Sequence, residues 1–90
     1  MTKEILIVDD EADIRMLTAG ILEDEGYQTR QADGSIAALK SVESRRPDLV
    51  LLDIWLQGSE LDGLQILRRI KEHHTKIPVL MMSGHGTVET

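Results

Sequence analysis

Three segments of this 90-residue sequence are almost wholly aliphatic, and they limit its fold more than any other feature. They read ILIV at residues 5–8, LVLL at 49–52 and VLMM at 79–82. Apolar runs of this length are typical of strands that are buried on both faces, as in a parallel sheet covered by helices on each side. A further strand predicted at 27–32 carries Gln28, Arg30 and Gln31 and therefore fits the edge of such a sheet.

Segments with helical periodicity alternate with these strands. The strands are predicted at 4–9, 27–32, 48–53 and 77–83, and the helices at 11–26, 34–45 and 62–74, with a fourth helix beginning at 87–90. This alternation predicts an α/β fold with a doubly wound parallel sheet and the strand order 2-1-3-4. Asp33 is expected to cap the second helix.

Composition excludes several classes of function. Ten Lys and Arg against sixteen Asp and Glu give a formal net charge of −6, and no basic patch favours direct nucleic-acid binding. The absence of cysteine excludes disulfides, thiolate zinc sites and a cysteine nucleophile. The amino-terminal apolar run is too short for a signal peptide or a membrane span, so a soluble cytoplasmic domain is expected.

Acidic residues follow two strands that are predicted to be neighbours. Asp9 and Asp10 end the first strand, and Asp53 ends the third. In an open sheet of this type, ligands bind beyond the carboxyl ends of the strands at the switch point, here between strands one and three. The simpler interpretation is that Asp10 is the N-cap of the first helix, with nearby acids favoured by the helix dipole.

The third carboxylate favours a cation site instead. Two unit charges 4 Å apart repel by roughly 4 kcal/mol at an effective dielectric constant near 20, so three carboxylates need a cation or an altered protonation state. Oxygen ligands without cysteine or histidine suit Mg²⁺. A carboxylate beside the metal could act as a nucleophile and form an acyl phosphate. Ser83, which ends the fourth predicted strand, would complete a cradle for the phosphate.

The whole chain resembles the receiver domain of bacterial two-component response regulators. The matching residues are the pair Asp9-Asp10 after ILIV, Asp53 after LVLL, the LDG at 61–63 and Ser83 after PVLMM. The resemblance implies a flavodoxin-like receiver fold and a switch that is not a turnover enzyme.

The same resemblance implies roles for individual residues. Asp53 would accept a phosphoryl group from a histidine kinase, and Ser83 would be the switch hydroxyl. Mg²⁺ would be held by Asp10, Asp53 and the main-chain carbonyl of Trp55, with Asp9 reaching the metal through water. An output domain, expected to be transcriptional, would respond to the phosphorylated state.

Two departures from the family pattern refine this interpretation. The loop IWLQGSEL lacks the usual proline, and the segment DIWLQGSELDGLQIL is similar to the nitrogen-regulator branch called NtrX. The family also has a fifth strand and a fifth helix, and this chain stops at Thr90, before both. Residues 1–90 are therefore expected to form a C-terminally incomplete receiver domain that self-associates as a homodimer through the free edge of its fourth strand, by exchange of elements or by strand pairing. Its uncovered surfaces would be the free edge at 79–82 and the apolar side near Ile14, Leu17 and Ile21.

Three other functions remain as alternatives. The chain could be an interaction or dimerisation module that is no longer phosphorylated. A Mg²⁺-dependent aspartyl phosphohydrolase is disfavoured, because such enzymes often place an acid two residues after the nucleophile, where this chain has Trp55. A nucleotide-binding module would need a glycine-rich turn after the first strand, and VDDEAD contains none.

Overall fold

A computed structural model describes residues 2–53, 63–74, 76–83 and 86–89; at positions 63, 82, 83 and 86–89 it describes the backbone only. Each helix and strand predicted between residues 4 and 83 is present, with bounds that differ by at most two residues. The elements are β1 (Glu4–Val8), α1 (Ala12–Asp24), β2 (Gln28–Ala32), α2 (Ser35–Ser44), β3 (Leu49–Asp53), α3 (Gly63–His73), β4 (Val79–Ser83) and β5 (Gly86–Glu89).

The sheet has the strand order β2-β1-β3-β4-β5, and its first four strands are parallel. The predicted order 2-1-3-4 is therefore confirmed, with the polar strand β2 at one edge. Helix α1 packs on one face of the sheet, and α2 and α3 pack together on the other. This two-sided cover is the doubly wound arrangement that the continuous apolar strands predict.

The side chains of the central strands alternate between two aliphatic cores. Leu6 and Leu52, both 0 % exposed, point towards α2 and α3, where Ile66 and Ile70 complete the larger cluster. Residues of the opposite parity on the same strands point towards α1. They form a smaller cluster of buried residues, Ile5, Ile7, Ala19 and Leu51. A strand that feeds both clusters must be apolar at every position.

The fourth helix expected from residue 87 is wrong, because residues Gly86–Glu89 form a strand antiparallel to β4. Ser83 is the register partner of Gly86. The edge of β4 would present unpaired backbone groups without β5, and Thr87 and Val88 are residue types that favour a strand. The expectation of a free edge at 79–82, through which the chain would self-associate, is wrong for the same reason, since β5 pairs with that edge.

The side of the sheet that carries α1 has an uncovered apolar surface, as expected from the sequence. Ile14, Leu17 and Ile21 are 42 %, 62 % and 56 % exposed. The same side of the sheet also has an open groove of about 480 Å³ whose apolar lining includes Leu22 and Leu80. We call these exposed side chains and this groove together the α1 face. Among the described residues, no helix is both long and apolar enough to cross a membrane.

A network of charged residues joins elements at the end of the sheet where β1 and β3 begin. The carboxylate of Glu4, a residue only 8 % exposed, accepts hydrogen bonds from the guanidinium of Arg45 and lies 3.1 Å from that of Arg30. Arg30 also donates to the carbonyl of Ser41 near the end of α2, at 2.8 Å. The main-chain N–H of Glu4 donates to the side chain of Asp48 at 2.7 Å. These bonds hold β1, β2, α2 and the start of β3 together.

The cap predicted for α2 is wrong. Gly34 occupies the N-cap position without a side-chain cap hydrogen bond, and Asp33 is exposed. Helix α2 begins at Ser35, one residue later than it would begin if Asp33 were its N-cap.

Leucine truncations at two positions test the division between core and exposed surface. Leu52→Ala should lower the free energy of unfolding by about 2–5 kcal/mol, because it leaves a cavity in a closed core. Leu17→Ala should cost less than about 1 kcal/mol, because surface changes are usually small. Urea denaturation of both variants measures the difference. Equal losses would show that Leu17 is buried in solution.

Candidate functional site

The acidic residues after β1 and β3 meet at the carboxyl edge of the sheet. Val8 is the register partner of Leu52, so Asp9 and Asp53 leave the paired strands at the same level. Asp9, Asp10 and Asp53 each offer a carboxylate oxygen, and these oxygens all lie within 4.8 Å of one another. We call these three residues the acid cluster. The structure thus brings together three of the five residues that the sequence points to.

The turn from β1 into α1 sets the position of Asp9. Its N–H donates to the carbonyl of Ala32 in β2 at 3.1 Å, which continues the sheet pairing by one residue. Its side-chain Oδ1 accepts the N–H of Glu11 at 2.9 Å. A carboxylate has two oxygens with several lone pairs, so Asp9 can make this bond and still offer an oxygen to a cation.

Helix capping does not account for the acidic pair. The N-cap residue of α1 is Glu11, with extended backbone angles and no side-chain cap hydrogen bond. Asp10 precedes that position, so the simpler interpretation of Asp10 as the N-cap is wrong. The proximity of Asp10 to Asp9 and Asp53 needs a different explanation.

The geometry of the acid cluster fits Mg²⁺. Mg²⁺ binds oxygen at about 2.1 Å in an octahedron, so its ligand oxygens lie roughly 3 Å apart when adjacent and about 4.2 Å apart when opposite. The observed span of at most 4.8 Å is within reach of that geometry after small side-chain adjustments. Asp9 is buried, whereas Asp10 and Asp53 are half-buried, so the cluster is partly exposed.

The other two predicted site residues are only partly defined. Ser83 is the last residue of β4, and Asp53 is the register partner of Met82, so the backbone of Ser83 lies at the same edge of the sheet as the acid cluster. Its side chain is outside the description. Trp55 lies outside the described residues altogether.

Sequence reasoning missed one residue beside the site. The guanidinium of Arg15, in the first turn of α1, donates to the main-chain carbonyl of Asp9 at 2.8 Å and to the side chain of Gln31 at 3.3 Å. The sequence does contain a signal for it. A cation is unfavourable near the positive end of a helix dipole, so Arg15 at this point requires a compensating contact.

The fold and the acid cluster together define the class of this chain. Residues 5–90 match the response regulator receiver domain family, and the chain belongs to that family.

Its relatives include the nitrogen assimilation regulatory protein NtrX of Azorhizobium caulinodans, which is 59 % identical over 90 residues, the whole of this chain and 20 % of the relative. The sporulation initiation phosphotransferase F of Bacillus subtilis is 44 % identical over 89 residues, which make up 70 % of that protein. The crystal structure of the receiver domain of NtrX from Brucella abortus superposes with a TM-score of 0.88 at 60 % identity, covering 91 % of this chain and 68 % of that one.

The resemblance to the NtrX branch is thus confirmed. This chain spans about a fifth of the length of the full NtrX proteins that it matches.

Mg²⁺ should stabilise the folded chain through the acid cluster. A ligand that binds only the native state adds about 2.7 kcal/mol at a hundredfold excess over its dissociation constant. Asp10→Asn should raise the melting temperature without metal, because it removes like-charge repulsion, and should reduce the further rise that Mg²⁺ produces. Differential scanning calorimetry with and without millimolar Mg²⁺ measures both effects.

Asp24→Asn is the matched control, since Asp24 is exposed at the far end of α1. It should leave the Mg²⁺-induced shift unchanged. An Mg²⁺ shift that is equally large in the Asp10→Asn protein would place the cation elsewhere.

Proposed function

We propose that this chain is the phosphoacceptor switch of a two-component response regulator, and that Asp53 receives a phosphoryl group from a histidine kinase. The observation that carries the proposal is the acid cluster of Asp9, Asp10 and Asp53, within 4.8 Å at the carboxyl edge of a receiver-family sheet. Three carboxylates at that distance match a cation site, and Mg²⁺ at such a site commonly also binds a phosphate.

In the proposed reaction, a carboxylate oxygen of Asp53 attacks the phosphorus of a phosphohistidine. The new O–P bond makes an acyl phosphate, while the N–P bond breaks and the histidine nitrogen keeps the electron pair. Bound Mg²⁺ would neutralise charge on the phosphoryl oxygens and align the group. Asp53 is half-buried at the end of β3, so a donor can approach it from the rim of the sheet.

The remaining roles follow the family pattern. Asp10, Asp53 and the main-chain carbonyl of Trp55 would hold Mg²⁺, with Asp9 acting through water. The hydroxyl of Ser83 would contact the transferred phosphoryl group and report its presence. The domain would be a switch because its own side chain, Asp53, is the group that becomes phosphorylated. At most it would catalyse its own phosphorylation and dephosphorylation.

We further propose the cellular setting. Residues 1–90 would form one receiver domain of a cytoplasmic regulator, and its partners would be a cognate histidine kinase and an output domain. The output domain would be transcriptional, and the setting would be nitrogen regulation, since the name of the Azorhizobium relative refers to the regulation of nitrogen assimilation. The formal charge of −6 argues against contact between this domain and nucleic acid.

Acetyl phosphate should phosphorylate Asp53 in the presence of Mg²⁺. Intact-mass spectrometry should find one added phosphoryl group, and hydroxylamine should remove it, because acyl phosphates react with that nucleophile. Asp53→Asn should abolish the modification. Asp13→Asn, which changes an exposed acid in the first turn of α1, should not. Phosphate on a serine or a histidine would overturn the assignment.

The α1 face supports self-association as a second role. Ile14, Leu17 and Ile21 are exposed on the side of the sheet that also carries the groove, and exposed apolar surface favours association. We propose that a second copy of this chain covers the surface, because a two-fold axis would let the helix face of each copy occupy the groove of the other.

Sedimentation velocity over a range of concentrations tests this association. The unchanged chain should form dimers as its concentration rises. Leu17→Lys should remain a monomer, because dimerisation would bury the charge of the lysine at the contact. Ile36→Lys is the control, since Ile36 is 57 % exposed on α2, across the sheet from α1. A monomer at every concentration would exclude the second role.

A further inference from the structure

We infer that Arg15 is a positioning residue of the acid cluster, and that it acts by fixing the main-chain carbonyl of Asp9 from α1. This inference deepens the proposed function and depends on it. Arg15 would contact neither the phosphoryl donor nor the reacting atoms; it would set where the carboxylates of Asp9 and Asp10 stand relative to Asp53.

The contact made by Arg15 lies between the two acids of the turn. The carbonyl of Asp9 belongs to the peptide unit that joins Asp9 to Asp10. Because a peptide unit is planar, the direction of this carbonyl also fixes the orientation of the bond leading into Asp10. Arg15 Nη1 donates to that oxygen at 2.8 Å, so one hydrogen bond constrains the backbone between the two acids.

Arg15 is itself held in place by contacts with β2 and with the start of α1. Its Nε donates to Oε1 of Gln31, a residue in β2, at 3.3 Å. Its backbone N–H donates to the carbonyl of Glu11, which is the first hydrogen bond of α1. The guanidinium therefore bridges the helix, the edge strand and the turn that carries the acids. A planar fork suits such two-point contacts, whereas an ammonium group is a point charge.

The other hydrogen bonds given for Asp9 involve its N–H and its side chain. The N–H of Asp9 is bound to Ala32, and Oδ1 of Asp9 is bound to Glu11. Neither of these fixes the carbonyl of Asp9. Among the hydrogen bonds that the structure gives for the described residues, the bond from Arg15 is the one that does so.

An effect of Arg15 through its charge and an effect through positioning would change the affinity for Mg²⁺ in opposite directions, so the two can be distinguished. A cation near the site repels Mg²⁺, so Coulomb's law alone predicts that neutralising Arg15 tightens Mg²⁺ binding. If Arg15 acts by positioning, its removal loosens the cluster and weakens binding. Outer contacts that orient metal ligands typically contribute 10–100-fold in affinity.

The experiment measures the dissociation constant of Mg²⁺ by isothermal titration calorimetry for the unchanged chain and three variants. Arg15→Met should raise it by about tenfold or more. Arg15→Lys, which keeps the charge but loses the two-point contact, should also raise it, by a smaller factor. Arg46→Met should change it less than about twofold, because Arg46 is exposed before β3, at the opposite end of the sheet.

The spectrum of bound Mn²⁺ gives a second readout. Substituting Mn²⁺ for Mg²⁺ should give an electron paramagnetic resonance spectrum that is broader in Arg15→Met, because the ligand geometry is less uniform. A structural role in stability alone would not change this spectrum in protein that remains folded.

The outcomes separate this inference from the proposed function. Binding of Mg²⁺ by Arg15→Met that is unchanged or tighter would overturn the positioning role while leaving the acid cluster intact as a site. If Arg15→Met does not fold, the lysine variant decides, and an unchanged dissociation constant there overturns the inference. An unchanged chain that binds no Mg²⁺ would overturn both.

Discussion

The register between β1 and β3 is the constraint on which the site depends. Residues 5–8 of β1 and 50–52 of β3 are buried, so a shift of register would carry a flanking carboxylate such as Asp9 or Asp53 between aliphatic side chains. The pairing of Val8 with Leu52 is therefore fixed by packing, and the acids that follow leave the sheet side by side. The core selects this register for reasons of burial, and the acid cluster is a geometric consequence. The hydrophobic effect thus holds like charges together without any direct attraction between them.

This division explains how much could be predicted from the sequence. The aliphatic strands and the helical periodicity carry their signal locally, so the order 2-1-3-4 and the meeting of Asp9, Asp10 and Asp53 could be predicted. Capping could not be predicted as well, because Asp10 and Asp33 both satisfy the residue preference but lie outside the N-cap positions that the turns create. The preference is a weak prior that the backbone path overrides.

Two other features depend on partners that are distant in sequence. Residues 86–89 form a strand because the edge of β4 offers hydrogen bonds to them, which local helical propensity does not report. The contact of Arg15 depends on a carbonyl six residues earlier and an amide sixteen residues later, and these meet only after β1 and β2 pair. Periodicity analysis describes which face a residue occupies. It does not describe which backbone atom a long side chain reaches.

The two ends of the sheet differ in how their charges are compensated. Where the strands begin, Glu4 is matched by Arg30 and Arg45, and the bonds from Arg30 and Asp48 join that group to α2 and β3. Where the strands end, the carboxylates of the acid cluster lie at the turn from β1 to α1 and at the end of β3. In mechanical terms, the domain is clamped along one rim by directional bonds between oppositely charged groups. A change of charge at the other rim would act on the acid cluster, while the clamped rim would keep β1, β2 and β3 in place.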